Sequence, residues 1–250
     1  MWEAILGWVF NICEWFANLL GDWGLGIIVL TIIFRIILFP LTYKQNKSNY
    51  LMQKLQVRMT EIQTLYANDQ QKMAAEMQRL YSEAGYNPLT GCLIPLIQMP
   101  IFIALFQVLD NIGERVDAGT VLSFYQVIPD LTINAIEAFN VSFVYSIPYF
   151  VLVAIFGASI LIPTLIQQNR DTTTMVTMVI MTVFMVVLGC QSPAGVVLFW
   201  DTSSIIALIV QQLSKLYYQK EDAKKAAEEV KPVQVNVVRK QKKARPTKSH

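Results

Sequence analysis

The chain is poor in charge and has almost no histidine. Asp, Glu, Lys and Arg make up 15% of its 250 residues, and the single histidine is the last residue, His250. Soluble domains carry about 25% charged residues, so a wholly water-facing surface is excluded. One histidine cannot build a zinc site, which removes a zinc-dependent intramembrane protease. An intramembrane aspartyl protease needs two acids inside membrane spans, and the apolar stretches hold one, Asp201. The three cysteines, Cys13, Cys92 and Cys190, are odd in number and far apart. They fit neither a zinc pattern nor a disulfide framework and read as packing residues. There is no Gly-rich phosphate-binding loop, so no nucleotide, cofactor or enzymatic activity is expected. Lys and Arg are missing from the first 22 residues, as is a small-residue cleavage site, so no cleaved signal is expected.

What the chain does have is apolar length. Five stretches are long enough to cross a hydrocarbon core of about 30 Å, which takes roughly 20 helical residues. They run from about 23–43, 89–109, 143–166, 173–189 and 194–216. Unbroken runs of this kind are helical, since barrel strands alternate in pieces of about 10 residues. The expected fold is therefore all-α, a polytopic membrane protein with five transmembrane helices.

Two further segments have helical periodicity. In residues 1–22, Trp2, Ile5, Leu6, Val9, Phe10, Ile12, Phe16, Leu19 and Leu20 recur at helical spacing among Glu3, Asn11, Glu14 and Asn18, and Gly21-Asp22 breaks the pattern. This predicts an amphipathic helix in the extracytoplasmic interface, with an extra span as the alternative. Across 44–87, Leu51, Leu55, Met59, Ile62 and Leu65 follow one helical face. Asn68-Asp69 punctuates, Met73, Met77, Leu80 and Ala84 repeat the pattern, and Gly85 and Asn87-Pro88 end it. The reading is a helical hairpin outside the bilayer. The expected organisation is thus an interfacial helix (1–22), a five-helix core with its hairpin (23–216) and a basic, mostly disordered tail (217–250).

Lys and Arg placement orients the chain. The hairpin carries Lys44, Lys47, Lys54, Arg58, Lys72 and Arg79, the connection after the third stretch carries Arg170, and eleven more run from Lys215, at the end of the fifth stretch, to Lys248 in the tail. The other side has only Arg115, against Glu3, Glu14, Asp22, Asp110, Glu114, Asp117, Asp130 and Glu137. Five spans then put the N-terminus outside and the hairpin and tail in the cytoplasm.

Arg35 is the most informative residue. At ~1.5 Å per residue it lies roughly 18 Å from Trp23 and roughly 12 Å from Tyr43, deep in the first stretch. An Arg at that depth costs about 2.5 kcal/mol or more, so it must face water or a partner. Asp201 lies near the outer end of the fifth stretch, too far along for direct pairing to be expected. Thr31 lies one turn from Arg35 on the same face. Gln98, Gln107, Ser159, Thr202, Ser203, Ser204 and Gln211 add polar groups that together could line a hydrated concavity. Such a groove would lower the barrier for a short polar, often acidic, segment of another protein without covalent chemistry.

The segment Asn87-Pro88-Leu89-Thr90-Gly91-Cys92-Leu93-Ile94-Pro95-Leu96-Ile97-Gln98-Met99-Pro100-Ile101-Phe102 resembles the signature of the YidC insertases, relatives of the mitochondrial Oxa and chloroplast Albino proteins. Thr31-Ile32-Ile33-Phe34-Arg35, followed by Phe39-Pro40-Leu41-Thr42, resembles their first conserved span. Ser192-Pro193-Ala194-Gly195-Val196-Val197-Leu198-Phe199-Trp200 resembles the opening of their last. The likeness runs in order from Trp23 to about Gln212, and the chain resembles the compact Gram-positive type. It implies a membrane protein insertase and chaperone of the bacterial plasma membrane, with a positive groove open to cytoplasm and lipid and closed outside. Arg35 would be the groove cation, lined by Thr31 and Trp200, with Gln167 matching a family Gln and Gln98 and Ser204 as further lining.

The hairpin cations Lys47, Lys54, Arg58, Lys72 and Arg79 would receive nascent membrane proteins. The tail, with Lys240, Lys242 and Lys243, would meet ribosomes. Membrane lipids are expected partners, and the Sec translocon is a further candidate. The chain departs from the family at Asp201, where an apolar residue is usual, and at Ser204, where an Asn is usual. The competing class is a secondary transporter or channel, but neither internal repeats nor several midplane sites are evident.

Truncation after Tyr218 is expected to weaken salt-sensitive co-sedimentation with ribosomes. Unchanged co-sedimentation would leave the tail as a topology signal only.

Overall fold

The computed structural model describes residues 1–87, 99–100, 103–116, 120–166 and 172–229. Most of the second expected span, with Gln98, Gln167, Arg170, Lys240, Lys242 and Lys243, lies outside the described residues. The described residues fold into helices plus one isolated bridge between Phe124 and Ile128. In order these are α1 (Trp2–Leu20), α2 (Trp23–Ile37), α3 (Phe39–Leu65), α4 (Gln70–Glu83), a helical segment 103–110 (α5), α6 (Ile112–Arg115), α7 (Ala135–Val141), α8 (Phe143–Ile166), α9 (Thr172–Gln191) and α10 (Ala194–Glu229).

Local chemistry sets the breaks. Gly21 adopts φ 73°, a left-handed C-cap that a side chain would strain. Asp22 then caps α2 by accepting from the Leu25 N–H at 2.9 Å. Asp69 does the same for α4, accepting from Lys72 N–H at 3.1 Å. Asn134 and Glu137 form a capping box on α7.

Three boundaries differ from the sequence expectation. The first stretch, 23–43, is not one helix: α2 ends at Ile37 and α3 leaves it at 67°. The cause is Pro40, which has no N–H to give and whose ring crowds the carbonyl one turn back. The first hairpin helix accordingly starts at Phe39 rather than Lys44. The last helix does not stop at 216 but continues to Glu229, so cutting after Glu229 separates the basic tail from α10 more cleanly than cutting after Tyr218. By length and composition, two described helices could cross a membrane, Phe143–Ile162 and Ala194–Lys225. The bent α2–α3 pair makes a third, and Met175–Gln191 is a shorter apolar helix.

One seam organises the bundle. α2 and then α3 meet α10 in the same chain direction at a fixed offset of 168 residues, seen at Arg35–Ser203, Asn46–Ser214 and Lys54–Asp222. Tyr50 and Tyr218 obey it too, with ring centroids 5.5 Å apart. At the start of the seam, a Cβ added to Gly195 would lie 3.3 Å from Ile27 Cδ1. The register therefore persists through the bend at Leu38.

The end where α2 and α10 begin is sealed. The 120–134 loop folds over it, with Leu122, Ile128 and Leu131 buried against Ile27, Val108, Leu109, Val196 and Val197. A helix start leaves N–H groups without intrahelical partners. Here Ala194 N–H donates to Ile133 O and Gly195 N–H to Leu131 O, both at 2.9 Å. Asp22 also accepts from Tyr125 N–H at 2.7 Å, and Tyr149 Oη donates to Asp130 O at 2.8 Å. The loop thus caps α10 as well as covering it.

α1 crosses α2 at Gly26, where an added Cβ would stand 2.9 Å from Cys13 O and 3.0 Å from Ala17 N. Those are backbone atoms and cannot step aside. Gly26→Ala should therefore separate α1 from α2 and cost about 1–3 kcal/mol, the usual range for overpacking. A lower thermal midpoint in detergent, with faster proteolysis within α1, is the expected result.

Candidate functional site

Arg35 sits in the last turn of α2, where a cation is favoured by the helix dipole. It is half-buried. Its Nε donates to Ser203 Oγ at 2.9 Å, and its Nη2 donates to the same oxygen. Ser203 is buried on α10. Among the described residues no carboxylate pairs with Arg35, and Asp201 has no hydrogen-bond partner on either oxygen. The cation is therefore held by a neutral hydroxyl, which satisfies N–H donors without cancelling charge.

The other expected groove residues separate. Thr31 is 1% exposed and its hydroxyl donates to Ile27 O at 2.7 Å, so it is committed to its own helix and faces no open surface. Trp200 is half-buried and stacked on Phe156 of α8, with centroids 4.8 Å apart, where it fixes α10 against α8. Ser204 is half-buried, but the hydroxyl that meets Arg35 is its neighbour's: one residue along a helix turns the side chain by about 100°. Ser203 was one of several polar residues in the sequence, with nothing to single it out. Thr202 and Ser159 donate back to their own helices, to Leu198 O and Phe156 O. Gln107 accepts from Trp2 Nε1 at 2.8 Å, which ties α5 to α1 at the sealed end.

At the far end of the seam the hairpin is fastened to α10. Asp222 accepts from Lys54 Nζ and from Tyr50 Oη, the latter at 2.8 Å. Tyr43, Tyr50 and Tyr218 cluster beside them, with Tyr218 Oη donating to Tyr43 O at 3.3 Å. Lys54 and Tyr50 hold the Asp222 carboxyl below its ordinary range, while burial and then Asp222 push the Tyr50 hydroxyl up to about 12. A depressed carboxylate contributes stability above its unfolded value and loses it as pH falls through the folded one. The latch thus holds at neutral pH and weakens below about pH 4. Of the other hairpin cations, Lys72 pairs with Asp69 and Arg79 with Glu83, while Lys47 and Arg58 are exposed. The expected apolar stripe of the hairpin is only partly covered: Leu80 is buried, but Leu65 is exposed.

Comparison with known proteins agrees on one family. The sequence model of the 60Kd inner membrane protein family matches residues 15–223. The chain is similar to the membrane protein insertase YidC of Treponema denticola, 35% identical over 223 residues, which is 84% of this chain and 36% of that protein. The same-named protein of Helicobacter pylori is 34% identical over 209 residues, 81% of this chain and 35% of that one. The chain therefore spans little more than a third of these relatives' length. A crystal structure of an active YidC insertase, with its first transmembrane domain resolved, superposes with a TM-score of 0.62 at 28% identity. It covers 83% of this chain and 45% of the other.

Asp222→Ala should free the far end of the seam on α10 from α3. The pair is exposed and worth little globally, so the thermal midpoint should barely move. Tryptic cleavage at Lys220, Lys224 and Lys225 should instead accelerate several-fold, and an unchanged rate would mean that the latch holds nothing.

Proposed function

We propose that this chain, which belongs to the 60Kd inner membrane protein family of YidC insertases, moves short hydrophilic segments of nascent membrane proteins across a bacterial membrane. The observation that carries this reading is the half-buried Arg35, bonded to a hydroxyl and unpaired with any described carboxylate. A guanidinium has five N–H donors. Ser203 takes two, and the exposed part of the side chain leaves others for water or for an arriving carboxylate. We read this as the cation of a hydrated groove. The sealed end formed by the 120–134 loop supports a groove closed on the outer side and open towards the hairpin.

Five spans, with the N-terminus outside and the tail in the cytoplasm, are the membrane arrangement of this proposal. The first span is the bent α2 with the start of α3, and the second includes α5. The outward face of α1 supports a seat in the outer interface. Ile5, Trp8, Ile12, Trp15 and Leu19 form a continuous exposed stripe, with Trp8 74% exposed. Asn11 and Asn18 border this stripe, and Glu3 lies on the opposite side of the helix. The reading needs no covalent step and no cofactor. It makes nascent membrane proteins the clients and bilayer lipid the exit, with the exposed Lys47 and Arg58 and the basic tail as the surfaces for clients and ribosome, and the Sec translocon as a further candidate partner.

Reconstitution into liposomes with a small single-span client, scored by protease protection, tests this. The wild type should insert the client. Arg35→Ala should stay folded and lose on the order of tenfold in insertion of clients with acidic translocated segments, the effect of removing one unit charge in a poorly screened site. Solute flux without insertion would instead favour a channel.

A further inference from the structure

Arg35 has several ways to satisfy its N–H groups, and the structure uses one. It stands in the last turn of α2, where the open carbonyls of a helix end can accept from a basic side chain. A long basic side chain in an apolar layer can also reach for water. Neither is what holds it. Its hydrogen bonds among the described residues, from Nε and from Nη2, both go to Ser203 Oγ. Neighbouring hydroxyls are used differently: Thr202 Oγ1 donates to Leu198 O of its own helix, as Thr31 Oγ1 does to Ile27 O. Ser203 is 6% exposed, so its oxygen is an acceptor enclosed by the bundle. A hydroxyl oxygen has two lone pairs, and here it meets two N–H groups.

Those donors lie on one edge of the guanidinium. The group is a planar fork in which Nε and Nη2 form the side edge and Nη1 and Nη2 the end edge. With the side edge on Ser203, the plane is fixed. The end edge has no partner among the described residues. It presents parallel N–H groups, the geometry that a carboxylate takes bidentately. An arginine free to turn would first have to be ordered, at a cost in binding.

We propose that Ser203 is a positioning residue, which turns Arg35 so that the end edge of the guanidinium receives the carboxylate of an arriving Asp or Glu. This rests on the insertase reading and deepens it by naming what orients the cation and how a client's acid is received. Ser203 acts through Arg35 and has no contact with the client.

The test uses two single-span clients that differ only in carrying Asp or Asn at the same positions of the translocated segment. Wild type, Arg35→Ala, Ser203→Ala, Ser203→Thr and Ser203→Asp are reconstituted separately, and the acidic-to-neutral insertion ratio is read by protease protection. Ser203→Ala should lower the ratio on the order of fivefold, what one hydrogen bond contributes. Ser203→Asp occupies the same edge and cancels the charge, so it should lower the ratio on the order of tenfold, as Arg35→Ala does. Ser203→Thr keeps the hydroxyl and should keep the ratio. An unchanged ratio in Ser203→Ala overturns the proposal, including the case where both clients lose equally and the serine is only structural. So does a Ser203→Thr ratio as low as that of Ser203→Ala, and this pair decides the matter if Ser203→Asp does not fold. A ratio lowered by Arg35→Ala but not by Ser203→Ala sinks this proposal and leaves the insertase reading standing. If the wild type inserts neither client, both fall.

Discussion

A guanidinium bonded to a neutral hydroxyl gives this bundle its character. Burying a cation in an apolar layer is costly, and the ordinary remedy is a carboxylate. Here Ser203 supplies the acceptor instead. A carboxylate at that position would have cancelled the charge and its reach. A serine oxygen takes two N–H groups and leaves the net charge intact, so the site can attract an anion without first surrendering one. Stability could have been had with an acid there, and attraction could not.

That single contact depends on a long alignment. Arg35 meets Ser203 because α2 and α10 run parallel in a register of 168 residues, and the same register places Asn46 on Ser214 and Lys54 beside Asp222. The seam is pinned at both ends. At one, the 131–133 carbonyls cap the start of α10 while Gly195 gives Ile27 room. At the other, Asp222 gathers Lys54 and Tyr50. A slip of one residue would rotate Ser203 by about 100° away from the guanidinium. The end contacts are individually weak, yet they fix the geometry on which the charged contact relies.

Helix identity was readable in the sequence where composition or capping chemistry is local. Apolar length marked Phe143–Ile166, Gly21-Asp22 marked the turn after α1, and Asp69 marked the start of α4. Arg35 stood out by cost alone. Its partner did not, because Ser203 is one hydroxyl among Thr202, Ser203 and Ser204, and a pairing across 168 residues leaves no mark in one sequence. A faint signal existed: Ser203, Ser214 and Asp222 fall at spacings of eleven and eight, one face of a helix. Lying one turn from Arg35 says nothing about the exposure of Thr31. A buried threonine can donate to its own helix, and this one does.

The break at Pro40 changes how Arg35 is to be understood. In an unbroken helix from 23 to 43 the side chain would project from a fully bonded backbone, and its burial would be offset by nothing nearby. Ending α2 at Ile37 puts Arg35 in a terminal turn instead. The last carbonyls of a helix lack intrahelical donors and carry the negative end of the dipole. Those carbonyls call for water or hydrogen-bond donors whether or not an arginine is present. The proline thus creates a polar step within an apolar stretch, and the cation is lodged at that step. The cost that made Arg35 conspicuous in the sequence is therefore partly met by the backbone, and what remains is a charge that its neighbours leave available.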